Sequence, residues 1–376
     1  MKTKSDPMKS KPHFEILDGL RGVAAVMVVA FHLCEAHATS PENQLINHGY
    51  LAVDFFFLLS GYVIGYAYDD RFKRMGVGGF VLRRLIRLQP MVIAGSVIGA
   101  IGFYFARCEM WPLIGTTPVW KMLLVMLVGC TMIPLRPSMD IRGWQEMYPL
   151  NGPAWSLFFE YIGNLLYALV VRHFTKTFLA LLVFLAGAAV VEWGVTCPSG
   201  DFTGGWTVDS QNLRIGFTRL MFPFFGGLML FRLGKVIRMP HAFWVSSGLI
   251  LIALCLPRFG GREHYWVNGL YEAMCIIVLF PIIVSIGAGG TLAGKYSTPV
   301  CSFLGRISYP LYITHYPLIY IYTAWVMRQK VSLSQGYPYA LLVLLGSLAM
   351  AYLFLRFYDE PVREWLKMRF QQGKSA

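Results

Sequence analysis

The chain alternates long apolar runs with short polar connections. A helix needs about 20 apolar residues to cross the roughly 30 Å hydrocarbon layer of a bilayer. Eleven runs approach that length: 16–37, 49–68, 87–107, 118–134, 152–171, 177–195, 213–231, 241–257, 268–287, 303–327 and 338–355. The pattern predicts an all-α polytopic transmembrane bundle, since a helix satisfies its own backbone polar groups in lipid. The run 118–134 is the weakest: it is short, carries Lys121, and lies among Pro112, Pro118 and Pro134. The basic residues arbitrate. With 118–134 outside the count and a cytoplasmic N-terminus, the clusters at 2–11, 71–87, 172–176, 232–238 and 356–374 share one side, as the positive-inside rule requires. Counting it as a span would move 172–176 and 232–238 outside. The expectation is ten spans with both termini cytoplasmic. Residues 108–150 then form an outer loop with a re-entrant or interfacial segment, and one membrane domain, 14–365, lies between tails 1–13 and 366–376.

Composition agrees. Of 376 residues, 56% are hydrophobic and 14% charged, against roughly a quarter charged in soluble domains. The net charge of +13 sits in the topology-setting clusters, so it reads as bilayer orientation and gives no case for nucleic-acid binding. Seven cysteines, odd in number and without metal-like spacing, read as small buried hydrophobes, with no disulfide framework and no metal site. The first apolar run contains Asp18 and Arg21 and lacks a small-residue cleavage site, so it reads as a retained helix rather than a signal peptide.

Ionisable residues inside the membrane are costly and are functional candidates by default. At 1.5 Å per residue, His32 falls roughly 24 Å above the cytoplasmic edge, Asp54 roughly 21 Å, His315 roughly 18 Å and Glu160 roughly 16 Å. Four groups from four helices thus share one predicted layer. A His base oriented by a carboxylate, Asp54 or Glu160, can take the proton of an attacking hydroxyl; His315 can position an acceptor or assist protonation. Ser60 as a nucleophile is disfavoured, because no helical register brings it to His32. Each residue also has a structural reading: a packed histidine, a hydrated Asp54, or a Glu160 paired with Arg219. Arg83, Arg84 and Arg87 follow the second span, and guanidinium forks bind phosphates bidentately. They read either as topology determinants or as a site for the phosphates of an acyl-CoA.

Six elements in order resemble a known family. RGVAAVMVVAFH at 21–32 spaces Arg21 and His32. VDFFFLLSGY lies at 53–62 and includes Ser60. RRLIRLQP lies at 83–90. WSLFFE at 155–160 supplies Trp155, Ser156 and Glu160. SYPLYITH at 308–315 supplies Tyr309, Tyr312 and His315, and DEPVR closes the set at 359–363. Over about 14–365 the chain resembles the bacterial acyltransferase 3 family of membrane acyltransferases, which includes O-antigen and Nod-factor O-acetyltransferases. Tyr62 and Ile313 stand where Phe and Leu are usual. The resemblance implies a ten-helix bundle in the bacterial inner membrane. It implies transfer from acyl-CoA, usually acetyl-CoA, to a hydroxyl of a glycan or other sugar-containing acceptor. It also implies His32 as base, Arg21 as essential, and Arg84 and Arg87 on the CoA phosphates; Arg21, three helical turns from His32 on the first helix, reads as guiding the donor. Many members add an extracytoplasmic esterase-like domain; this chain ends without one and is expected to act alone or with partners. Direct transfer and an acyl-His32 intermediate both fit. A proton-coupled transporter is the rival class, and a non-catalytic scaffold a weaker third.

Overall fold

A computed structural model describes residues 13–371 except Arg262 and Ala293. The basic residues Lys2 to Lys11, Arg262 and the last tail residues 372–376 lie outside the described part. The helices in chain order are α1 (Glu15–Glu35), α2 (Ala52–Tyr68), α3 (Phe72–Gly102), α4 (Val119–Gly129), α5 (Ala154–Leu169), α6 (Lys176–Thr196), α7 (Ser210–Leu233) and α8 (Ala242–Cys255). They continue with α9 (Trp266–Met274), α10 (Phe280–Gly289), α11 (Ser297–Gln329), α12 (Leu333–Phe354) and α13 (Glu360–Gln371). Short π-helical stretches at Cys275–Leu279 and Leu355–Asp359 join α9 to α10 and α12 to α13. No strand occurs among the described residues. The protein is an all-α polytopic membrane bundle in which, among the described residues, seven helical stretches are long and apolar enough to cross a bilayer. α13 runs on to Gln371, past position 366 where the sequence suggested a tail.

Helices in lipid gain little from hydrophobicity against one another and associate by close backbone approach at small residues. Two such seams order this bundle. A methyl at Gly22 on α1 would lie 2.3 Å from the Leu304 carbonyl oxygen on α11, and one at Gly19 would lie 2.2 Å from Cys301 Sγ. On the second seam, a methyl at Gly61 on α2 would lie 1.7 Å from the Phe224 oxygen on α7, and one at Gly227 would lie 2.0 Å from the Leu58 oxygen. Both pairs run parallel, although each joins helices remote in sequence. Moving ten or eleven residues along α1 and α11 from the Gly22–Leu304 contact reaches His32 and His315, whose rings stack at 5.9 Å. Moving seven or eight residues back from Gly61 and Gly227 reaches Asp54 and Arg219, which form an ion pair at 2.7 Å.

The stretch 107–153 enters the bundle without crossing it. Its helix α4 has 11 residues, about 16 Å of rise. Beyond it, Leu150 and Asn151 press into α3 at Gly99 and Gly95, where a methyl would lie 2.0 Å from the Leu150 oxygen and 2.4 Å from the Asn151 amide nitrogen. Pro317 in α11 has no N–H, so the helix cannot use the Ile313 carbonyl; that carbonyl accepts the Asn151 amide at 2.9 Å instead. α5 therefore begins just after a segment packed against the middle of α3 and α11. The first and last described segments lie at one end of the bundle, the terminal end; residues 36–51, 107–153 and 197–209 build the other, the loop end.

Gly61→Ala should cost about 1–3 kcal/mol, the range for overpacking a core, because the obstructing atom is backbone. Thermal unfolding in detergent should show a clearly lower Tm for Gly61→Ala and an unchanged one for Gly248→Ala, whose methyl would meet open space.

Candidate active site

Three adjoining spaces, each sharing wall residues with the next, line up through the bundle. At the terminal end, a vestibule of about 1420 Å³ is lined by His13, Asp18, Arg21, Arg87, Arg363 and Lys367 among others. It shares Arg21, Arg87, Ser308 and Tyr309 with an inner chamber of about 700 Å³ that also holds Ser60, Arg84, Ser156 and Glu160. The inner chamber shares Val53 and Tyr312 with a chamber of about 1300 Å³ at the loop end, where His32, Glu35, Glu146 and Trp155 stand. Phe56 meets the Tyr312 ring edge to face, and the Tyr312 hydroxyl lies 2.6 Å from Ser156 Oγ. Tyr312 thus stands in the wall between the two chambers.

His32 sits in the last turn of α1, where the helix dipole favours a cation. Its Nδ1 lies 2.7 Å from a Glu35 carboxylate oxygen, three residues on. A carboxylate there fixes the proton on Nδ1 and leaves the Nε2 lone pair free, the arrangement of a general base. Glu35, not Asp54 or Glu160, is therefore the partner of His32, a correction to the sequence expectation. The sequence carried the signal, because Glu35 falls inside the run 16–37 and positions i and i+3 share a helix face, but depth alone did not single it out. His315 is fully buried and lines none of the three spaces. Its Nδ1 donates to the Leu311 and Tyr312 carbonyls at 3.0 and 2.9 Å, and its Nε2 has no partner. It backs the His32 ring rather than meeting an acceptor.

Asp54 is spoken for elsewhere. Arg219, 1% exposed, grips both its oxygens, donates to the Tyr50 carbonyl at 2.7 Å, and lies 5.0 Å over the Trp155 ring. Asp54 is fully buried and spent on Arg219 rather than on His32, and Arg219 is its partner, not that of Glu160. Glu160 instead takes Arg84 at 2.5 Å and Ser60 at 2.8 Å, in the inner chamber. The single predicted layer thus divides in two. Of the arginines, Arg84 is 5% exposed, in mid-helix rather than at a helix start, and tied to Glu160. Arg87 opens onto both vestibule and inner chamber, as does Arg21, which holds Asp18 at 2.7 Å. Arg83 is exposed and lines none of these spaces. Tyr309 donates to the Leu88 carbonyl at 2.6 Å and so braces α11 on α3.

Sequence reasoning missed Glu146, in the segment between α4 and α5. It lines the loop-end chamber and receives the Tyr320 hydroxyl at 3.0 Å. Burial pushes its carboxyl up to about 7; the nearby Arg142 and the Tyr320 hydrogen bond oppose this, and Asp140 reinforces it. Nothing periodic in a loop could have marked it.

Residues 14–356 match the acyltransferase domain family. The chain is 24% identical over 382 residues to the O-acetyltransferase OatA of Staphylococcus aureus (strain NCTC 8325 / PS 47), covering 96% of this chain and 58% of that protein. It is 31% identical over 166 residues to Protein 2 in the picA locus of Rhizobium radiobacter, covering 41% of this chain and 81% of that one. The chain thus spans less than two thirds of the staphylococcal relative's length. No solved structure matches.

Asp54→Ala should strand a buried guanidinium and cost about 3–5 kcal/mol. The double variant Asp54→Leu with Arg219→Met should recover much of that loss; equal Tm values for single and double variants would show that the pair is not coupled. For Glu146, the native carboxyl titrates near 7 and the unfolded one near 4.5. Its contribution is therefore fully present below 4.5 and is lost as pH rises through 7. Relative to Glu146→Gln, the wild-type Tm should fall across that window; parallel curves would refute the shift.

Proposed function

The chain belongs to the acyltransferase domain family, and from that premise we propose that it is a bacterial inner-membrane O-acyltransferase. It moves an acyl group, acetyl in the first instance, from acyl-CoA to a hydroxyl of a glycan or other sugar-containing acceptor. The observation that carries this reading is the row of adjoining chambers with a carboxylate-oriented histidine in the last of them. The positive-inside rule puts the terminal end, with its basic vestibule, in the cytoplasm. There Arg87 and Arg21, with Arg363 and Lys367 nearby, offer guanidinium and ammonium donors to the CoA phosphates. Arg84 takes a different role from the one its motif suggested: paired with Glu160, it neutralises the wall along which the flexible arm passes. Arg21 and His32 stand eleven residues apart on α1, about 16 Å, so one helix spans the distance from phosphates to reaction centre.

Beside Tyr312 the thioester meets the acceptor chamber. His32 Nε2 takes the proton of the acceptor hydroxyl as its oxygen attacks the thioester carbonyl. The resulting imidazolium is stabilised by Glu35 and by the α1 C-terminus. Collapse of the tetrahedral adduct breaks the C–S bond, CoA leaves as the thiolate, and the proton on His32 neutralises it. The acceptor never has to leave the loop end, nor the donor the terminal end.

The same row of chambers favours one rival, a proton-coupled transporter using His32 and Glu35 as its relay. CoA release separates the two. Purified protein in nanodiscs should liberate CoA from acetyl-CoA. His32→Ala should cut the rate by about two to four orders of magnitude, and Glu35→Gln by about ten- to a hundredfold. Undiminished release in His32→Ala would end the general-base mechanism. Neither release nor binding of acetyl-CoA would move the transporter to the front.

A further inference from the structure

The loop-end chamber has a second half that acyl transfer at His32 leaves unused. Trp111, Trp144, Trp155 and Trp206 line the chamber together with Tyr320. Trp111 and Tyr320 meet edge to face at 5.0 Å, and Trp144 lies 6.4 Å from Trp111. Aromatic walls with a few fixed polar groups suit a ring that has apolar C–H faces and hydroxyl edges. Two fixed polar groups are present. The indole N–H of Trp111 has no partner although the residue is 4% exposed. Glu146, 7% exposed, is held by the Tyr320 hydroxyl and by a backbone pairing with Thr207.

The turn that presents Glu146 is built with some strain. The Asp140 carboxylate accepts the backbone N–H groups of Arg142, Gly143 and Gln145. Gln145 is thereby held at φ 54°, a left-handed conformation that costs a non-glycine residue energy and persists only where the surroundings impose it. On the next residue but one, the Met147 N–H donates to the Trp206 carbonyl at 2.7 Å, which ties the Trp144–Glu146 turn to the Trp206 segment.

Charge narrows the ligand. Glu35 and Glu146 both line the chamber, and the one guanidinium among its described lining residues, that of Arg219, is held by Asp54. An anionic ring would meet two carboxylates in the lining; the nearby Arg142 guanidinium is 1% exposed, against the Tyr320 ring, and is not among the chamber's described lining residues.

We propose that this half of the chamber is the acceptor site for an uncharged sugar ring, and that Glu146 is the positioning residue that holds its hydroxyls so that one faces His32. The two carboxylates turn away rings that carry a carboxylate or phosphate. The proposal rests on the acyl-transfer reading for what happens to that hydroxyl, but binding itself needs no reaction.

The test uses the full chain in nanodiscs at pH 8, with tryptophan fluorescence as the binding signal and chitotriose and trigalacturonate as the neutral and anionic probes. Chitotriose should quench saturably, and trigalacturonate should bind at least about tenfold more weakly. Glu146→Ala should weaken chitotriose about tenfold or more and, in acetyl transfer, raise the acceptor KM more than it lowers kcat. Glu146→Gln keeps the hydrogen-bonding shape without the charge, so it should retain chitotriose and admit trigalacturonate; it decides the matter if the Ala variant does not fold. Quenching by neither probe, equal binding of both to the wild type, or Glu146 variants identical to the wild type would each overturn the site. Chitotriose binding without any acetyl transfer would overturn the transferase and leave the sugar site standing. Transfer with an acceptor KM untouched by either variant would do the reverse.

Discussion

Backbone contact at glycine sets the register on which everything else in this bundle depends. With lipid on one side and apolar helix on the other, hydrophobicity hardly distinguishes one rotation of a helix from another. A carbonyl oxygen seated where a methyl would have to be does distinguish them, because only one axial and rotational position fits. Gly19 and Gly22 fix α1 on α11, and Gly61 and Gly227 fix α2 on α7. The polar groups then follow by helical arithmetic, two to three turns away, with His32 against His315 and Asp54 against Arg219.

Those two seams explain the division of labour among the ionisable residues. Charges inside a bundle must be paired or hydrogen-bonded. Asp54 with Arg219, and Glu160 with Arg84, meet that requirement by neutralising each other, one pair beside each chamber. His32 with Glu35 meets it differently. Glu35 is half exposed to the chamber, so the pair stays wet, and one ring nitrogen of His32 is left unused. The first two pairs are walls; the third is equipped for proton transfer. Proline contributes as well. Pro317 frees a single carbonyl in α11, and Asn151 takes it, which carries the 107–153 stretch deep enough to close the loop-end chamber over His32.

Much of the architecture was legible in the chain. Apolar runs of the right length gave the helices, and the failure of 118–134 to make a span was readable from its prolines, Lys121 and the side on which basic loops would fall. The candidates His32, Arg21, Arg84, Arg87, Glu160 and Tyr312 all line these spaces. Partners were less legible. Asp54 and Glu160 were both offered to His32, and both belong to arginines. Glu146 was invisible, since its place depends on a turn around Asp140 and on Trp206, sixty residues further along the chain.

The sequence alone determined which segments are helices, which of them suit a membrane, and which residue types are too costly to be there without purpose, because each of these follows from local composition and a fixed rise per residue. Tertiary structure decided who pairs with whom. Pairing depends on where each helix begins, how it is rotated and which neighbour its glycines admit, and those are properties of contacts between segments as distant as α1 and α11. α5 is the clearest instance: the run 152–171 read as an ordinary span, and only the contacts of its neighbours show that Glu160 faces Arg84 and Ser60 instead of His32.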